Sequence, residues 1–128
     1  MMGNNFGLFG GFQKARRLLR KLHRITAASG QIIAEAVDPY RTKAKLHLDY
    51  QRWNRRRGRM SGQLRFRIRH ENIVGPWLDY LLVSQKEMGE ILAGTGWEIR
   101  KILEEDGIRY TAVITKSRTP SKTPAQKA

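Results

Sequence analysis

The sequence predicts an α/β domain, because segments with helix and strand periodicity alternate along most of its length. Apolar residues recur at three- and four-residue spacing over residues 12–25, which is the pattern of an amphipathic helix. A nearly continuous apolar run at 31–37 is typical of a strand covered on both faces. Two further strand-like runs, 97–103 and 109–115, flank an Asp-Gly pair that favours a tight turn. We therefore expect a sheet packed against helices and ending in an antiparallel hairpin.

Length and composition fit one small domain with a real core. The chain has 128 residues, of which 40% are hydrophobic, and it contains no cysteine. Disulfides and thiolate metal sites are thereby excluded, and the three histidines are not at metal-ligand spacing. No apolar run approaches the length of a membrane span, and the first residues lack the order of a secretory signal. We therefore expect a cytoplasmic protein without a metal or a membrane partner.

Basic residues are concentrated in the first half and the middle of the chain. The formal net charge is +14, and residues 41–69 hold eleven Lys/Arg against Asp49 alone. Such an excess favours RNA or another anionic partner, since clustered cations release counterions when they meet phosphate. The alternative is a solvated surface whose charges balance acidic residues elsewhere.

The first half of the chain divides into a loop, the helix, the strand and a basic insertion. Residues 3–11 are rich in glycine and asparagine and predict a loop. The insertion spans 41–83, where Leu46, Tyr50 and Trp53 indicate a short helix. Strict alternation over 64–69 and a second extended run at 77–83 predict a β-hairpin within it.

The last third of the chain begins with a helix start signal. Ser84 and Glu87 have the spacing of a capping box, in which each side chain accepts a backbone N–H of the other residue. The Gly-Thr-Gly segment 94–96 is predicted to end that helix before the final two strands. Residues 117–128 have no apolar content to bury and are predicted to be a disordered basic tail.

Several of these segments resemble the second half of class I S-adenosylmethionine-dependent methyltransferases. Residues 3–9, Gly-Asn-Asn-Phe-Gly-Leu-Phe, resemble the loop that follows the family's fourth strand. Residues 84–97 resemble its last helix and the turn into its sixth strand, and residues 109–114 resemble its closing strand. The resemblance covers residues 3–116 and implies a partial Rossmann-like methyltransferase sheet. Residues 1–116 would then form the C-terminal half of the domain, with S-adenosylmethionine as cofactor.

The chain departs from the family in lacking a glycine-rich turn followed about 20 residues later by a ribose-binding acid. The resemblance therefore implies that the N-terminal, cofactor-holding half of the domain is missing from this sequence, and we expect the isolated chain to be inactive. This interpretation implies one of two partners. A second chain could supply a matching N-terminal half, or the chain could associate with another copy of itself. The resemblance further implies that Asn4, Asn5 and Phe6 contact the cofactor. The alternative is that these residues only form a tight turn with positive φ.

Candidate substrate contacts lie at and beyond the carboxyl end of the strand at 31–37, where open α/β sheets bind ligands. They are Glu35, Asp38 and Tyr40, and Tyr50 and Trp53 in the insertion are further candidates. The alternative is that Glu35 pairs with an arginine and that Asp-Pro-Tyr at 38–40 is only a turn. No catalytic base can be named from the sequence, because neither His47 nor His70 has a visible partner.

The insertion interleaves aromatic residues with cations, as RNA-binding surfaces do. We expect contacts to a nucleic acid or another anion from Arg55, Arg56, Arg57, Arg59, Arg65 and Arg67. Trp77 and Trp97 border apolar runs and are predicted to be core or pocket wall. Two functions compete with methyl transfer: a non-catalytic module that binds RNA or another anion, and a structural subunit that completes the sheet of a split methyltransferase.

Overall fold

The computed structural model describes residues 1–117, and all but the first residue of the predicted tail lies outside them. Short 3₁₀ turns occupy Asn5–Phe9 and Pro39–Arg41. The helices are α1 (Phe12–Ile25), α2 (Lys45–Arg56) and α3 (Gln85–Leu92). The strands are β1 (Gln31–Val37), β2 (Gln63–Phe66), β3 (Arg69–His70), β4 (Ile73–Val74), β5 (Leu78–Leu81), β6 (Trp97–Glu104) and β7 (Arg109–Lys116). The predicted α/β class and order of elements are confirmed.

The main sheet has the strand order β1-β7-β6, with β7 antiparallel to both neighbours. Strands β1 and β6 therefore run parallel to each other, and the predicted closing antiparallel strand lies between them. At the outer edge of β1, the amino group of Met1 donates to the carbonyl of Ile33, and the N–H of Glu35 donates to the carbonyl of Met1, both at 2.9 Å. Met1 thus pairs with β1 in the parallel sense, as the last residue of a neighbouring strand does.

The core lies between one face of this sheet and the pair α1 and α3. Alanines at 34, 36 and 112 are fully buried and allow the helices to approach the sheet closely. Leu19 of α1 and Ile91 of α3 fill the space above them, and both are fully buried. The predicted core role of Trp97 is confirmed, because its indole is 2% exposed and donates to the Leu19 carbonyl at 2.8 Å.

The opposite face of the sheet is only partly covered by residues 1–117. Ile33 of β1 and Leu103 of β6 point to this face, and each is 47% exposed. The expectation that β1 is covered on both faces is therefore wrong for the described residues, because α1 and α3 pack together over a single face.

The basic insertion folds as α2 followed by an interrupted hairpin. Strand β2 pairs with β5 and β3 pairs with β4, so the predicted hairpin is confirmed but is broken near Arg67 and Ile68. Ile68 is 63% exposed, since no second layer within residues 1–117 covers this part of the apolar face. The hairpin returns to the domain through Leu81, which is 1% exposed and belongs to the core.

Candidate functional site

A mostly apolar cavity of about 520 Å³ lies at the carboxyl end of β1. Its floor is the end of that strand and the turn that follows, and α2, the segment leading into β2 and the β6–β7 turn form its walls. Its lining residues include Val37, Pro39, Thr42, Leu46, His47, Tyr50, Gln51, Ser61, Leu64, Leu82 and Ile108, together with Asp38. This is the edge at which the sequence predicted substrate binding.

Asp38 forms the predicted turn and also lines the cavity. Its carboxylate accepts the backbone N–H of Tyr40 at 2.9 Å and lies 3.4 Å from Nε of Arg41, which makes it the cap of the 3₁₀ turn. The structure therefore keeps Asp38 as a cavity residue whose orientation is set by the turn.

Tyr40 lies beside the cavity and is not part of its wall. Its phenol donates to Oε2 of Glu87 at 2.5 Å. Burial and then the hydrogen bond to Glu87 raise the pKa of Tyr40 above its ordinary value. The hydroxyl that was expected to contact a substrate is therefore already engaged in joining the end of β1 to the start of α3.

Glu35 holds the opening loop and, within the described residues, does not form the ion pair that was the alternative to a substrate contact. Its Oε1 accepts the backbone N–H of Gly3 at 2.6 Å, and no ion pair with an arginine forms among the described residues. The carboxylate points to the face of β1 opposite the helices, where it fixes the opening loop to the strand. Its contact with a substrate stays a prediction.

The three predicted cofactor contacts have different surroundings. Asn4 adopts φ of 64°, as the tight-turn alternative requires, and its carbonyl accepts the phenol of Tyr80 at 2.5 Å. Its Oδ1 is buried and has no partner within residues 1–117. Asn5 is exposed, whereas Phe6 is fully buried in edge-to-face contact with Phe9. Phe6 is thus a core residue, and the two asparagines carry the polar groups of this loop.

A second, shallower cleft of about 360 Å³ lies on the insertion. It is lined by Tyr50, Trp53, Arg57, Arg59, Arg65 and Trp77. The guanidinium of Arg57 lies 4.3 Å from the centre of the Trp53 ring. Trp77 is half exposed and forms a wall of this arginine cleft, which agrees with its predicted position in a pocket wall. Trp53 lines the same cleft and does not line the cavity where a substrate contact was expected.

The other predicted anion contacts lie outside the cleft. Arg55 donates to Oγ of Ser61 at 2.9 Å, so it supports the segment that lines the cavity. Arg56 is exposed and does not line the cleft, and Arg67 stacks on the Trp77 ring at 4.6 Å. Three of the six predicted arginines, at 57, 59 and 65, therefore converge on one surface.

His47 lies in the cavity wall, although its sequence neighbours indicate no role for it. Its Nδ1 is 3.0 Å from Oγ1 of Thr42. Thr42 precedes α2, and His47 lies in the first turn of that helix. The weak periodicity of α2 did not allow their contact to be predicted. Within residues 1–117, no three His, Asp or Glu side chains come together as a metal site. No helix in the same range is long and apolar enough to cross a bilayer.

The sequence matches no protein-family model, and no curated protein matches it. Its structure is similar to a SAM-dependent methyltransferase from Bacteroides fragilis crystallised with S-adenosyl-L-homocysteine, with a TM-score of 0.72 and 21% identity over 91% of this chain. It is also similar to the CcbJ methyltransferase from Streptomyces caelestis, with a TM-score of 0.53 and 12% identity over 89% of this chain. The chain spans 46% and 54% of those two structures, about half their length. The fold of this chain is therefore methyltransferase-like.

Proposed function

We propose that this chain carries the acceptor-side half of a S-adenosylmethionine-dependent methyltransferase. The observation that carries the proposal is the apolar cavity at the carboxyl edge of a methyltransferase-like sheet. Ligands of open α/β sheets bind at this edge. The similar structure from Bacteroides fragilis contains S-adenosyl-L-homocysteine, the product of methyl donation.

The asparagine loop fits a contact with this cofactor. Asn4 lies three residues after Met1, which is hydrogen-bonded to β1. The Oδ1 atom of Asn4 is buried and has no hydrogen-bond partner within the described residues. Asn5 is exposed next to it. When bound, S-adenosylmethionine supplies an electrophilic methyl group. The glycine-rich turn and ribose acid that would hold the rest of the cofactor belong to the half that is not in this sequence.

The cavity residues would position the acceptor and receive its proton. Methyl transfer depends mainly on alignment of the nucleophile, which the cavity wall would supply. His47 is the histidine in that wall, with its ring oriented through Thr42. A histidine near neutrality can accept a proton from an acceptor hydroxyl or amine. We therefore assign His47 the role of base, with Asp38 as the carboxylate of the cavity.

A calorimetric titration with S-adenosylhomocysteine tests whether the cofactor site needs a second, N-terminal half of the domain. We expect weak or no binding to the isolated chain, and tight binding once it is co-expressed with a matching half that contains the glycine-rich turn. Reading the coding sequence upstream of Met1 for such a motif identifies that half. Low-micromolar binding by the isolated chain would contradict that requirement. Methyl transfer by the complex that is unchanged by His47→Gln would contradict the role of His47 as base.

An anion-binding module without catalysis is the second candidate. It is favoured by the exposed tryptophans 53 and 77, each with an arginine over its ring, because stacked aromatics and cations bind single-stranded RNA. Association with RNA that weakens steeply with salt, in a complex unable to bind S-adenosylhomocysteine, would favour this function over methyl transfer.

A further inference from the structure

The cavity and the arginine cleft are neighbours that share one wall. Tyr50 of α2 lines both, and the consecutive residues Leu64 and Arg65 of β2 face the cavity and the cleft respectively. A single molecule can therefore occupy both spaces by crossing the Tyr50 ring. The two spaces have opposite chemistry, which constrains that molecule.

The cavity suits an apolar body. Its volume of about 520 Å³ lies within the range of small-molecule sites, roughly 300–1,000 Å³. Its wall is formed mainly by aliphatic and aromatic side chains such as Val37, Leu46 and Ile108. Polar groups are few and lie at defined places, with Asp38 and His47 among them.

The cleft suits a small anion. Three arginines line it, and stacking of Arg57 on Trp53 fixes one guanidinium plane while its edge N–H groups remain free to donate. Asp79 lies 4.0 Å from Nε of Arg65, with half of its side chain exposed, so this pair is loose and easily displaced. Asp49 of α2 already forms ion pairs with Lys45 and Arg52. Positive charge in the cleft is therefore largely uncompensated by the described residues.

We propose that the methyl acceptor is an amphipathic small molecule whose apolar body fills the cavity and whose anionic group binds Arg57, Arg59 and Arg65. This inference rests on the proposed function and names its substrate class. An extended RNA would use only the cleft, by stacking on the faces of the two tryptophans that the arginines leave uncovered. The apolar cavity next to the cleft offers nothing to a sugar-phosphate chain.

A pair of fluorescent probes tests the proposal on the full chain without any cofactor. Anilinonaphthalene sulfonate carries an aromatic body and one anionic group, and phenyl naphthylamine has the same aromatic skeleton without the charge. Both brighten in apolar sites. We expect the anionic probe to bind at least about tenfold more tightly, because charge-assisted bonds to arginine contribute roughly 1.5–3 kcal/mol in a partly closed site.

Matched arginine variants identify where the anionic group binds. The triple variant R57Q/R59Q/R65Q should lose most of the preference for the anionic probe and keep its affinity for the neutral one. The control R20Q/R56Q/R69Q removes the same charge from exposed positions outside the cleft and should keep the preference. Leu46→Trp, at a 77% exposed wall position that tolerates substitution, should weaken both probes by partly filling the cavity.

The remaining outcomes contradict either the amphipathic site or the proposed function. Equal loss of preference in both triple variants would show a general charge effect, and unchanged preference in both would remove the cleft from the site. A single-stranded oligonucleotide that displaces the anionic probe from the wild type, but not the neutral one, would assign the cleft to nucleic acid. Probe binding that follows the prediction while the assembled complex fails to bind S-adenosylhomocysteine would refute methyl transfer and leave the amphipathic site standing.

Discussion

The phenol of Tyr40 donates to Oε2 of Glu87, whose other carboxylate oxygen accepts the backbone N–H of Ser84 at 3.0 Å. One carboxylate thus closes the capping box of α3 and holds the turn after β1. The floor of the cavity is therefore attached to the beginning of the helix that covers the core.

Tyr40→Phe should lower the free energy of unfolding, measured by urea denaturation, by about 0.5–1 kcal/mol. This is less than a buried hydrogen bond to a charged group contributes, because Tyr40 is 44% exposed. The folded pKa of Tyr40 is raised above 10.0, so this contribution is complete below pH 10 and is lost as the pH rises through the folded value. Tyr50→Phe is the control, because its hydroxyl makes no hydrogen bond within the described residues. Equal losses for the two variants would contradict the assignment.

Arg16 of α1 stabilises the carboxyl end of α3. Its guanidinium donates to the carbonyl of Ile91 at 3.0 Å and to that of Ala93, which are among the carbonyls left free at a helix end. Arg16→Met should cost about 1–2 kcal/mol of unfolding free energy in the same assay. Arg17→Met, on the exposed side of the helix, should cost almost nothing, and a similar loss there would indicate a propensity effect instead.

Asp106 should make the β6–β7 hairpin sensitive to acid. The backbone N–H groups of Arg109 and Ile108, and then the Arg109 guanidinium, lower the pKa of Asp106 from 3.8 to about 2. Its contribution is therefore present above pH 3.8 and lost as the pH falls toward about 2. Asp106→Asn should flatten the pH dependence of stability across this window, followed by circular dichroism. Glu105→Gln removes a neighbouring charge and should leave the profile unchanged.

The partly covered sheet should cause the isolated chain to self-associate. β1 and β6 are the edge strands of the main sheet within the described residues, and the half-exposed Ile33 of β1 and Leu103 of β6 lie on the uncovered face of that sheet. Size-exclusion chromatography with light scattering should show mass rising with concentration, and Ile33→Lys should shift the protein toward monomer. Ile25→Lys, at a 77% exposed position on α1, is the control. A wild-type monomer at high concentration would mean that this edge is already protected.

Local signals in the sequence predicted most of the secondary structure. The capping box at Ser84 and Glu87 and the turn at Asp106-Gly107 each depend on residues three or four positions apart, so the sequence contains them in full. The observed bounds of α1 and β1 agree with the predicted 12–25 and 31–37. The weakly periodic α2 was only partly foreseen, because its buried side is formed by polar residues such as Gln51 and Asn54.

The sequence by itself thus determined the fold class, the order of elements and the edge of the sheet where a site would form. Only the tertiary structure decided which side chains reach that site. Glu35 bonds to Gly3 and Tyr40 bonds to Glu87, partners 32 and 47 positions away along the chain. His47 enters the cavity, and three of the six arginines meet at the cleft, because α2 and the hairpin pack beside the end of β1. Periodicity reports which face of an element is apolar, but the partner of a polar side chain depends on the packing of distant segments.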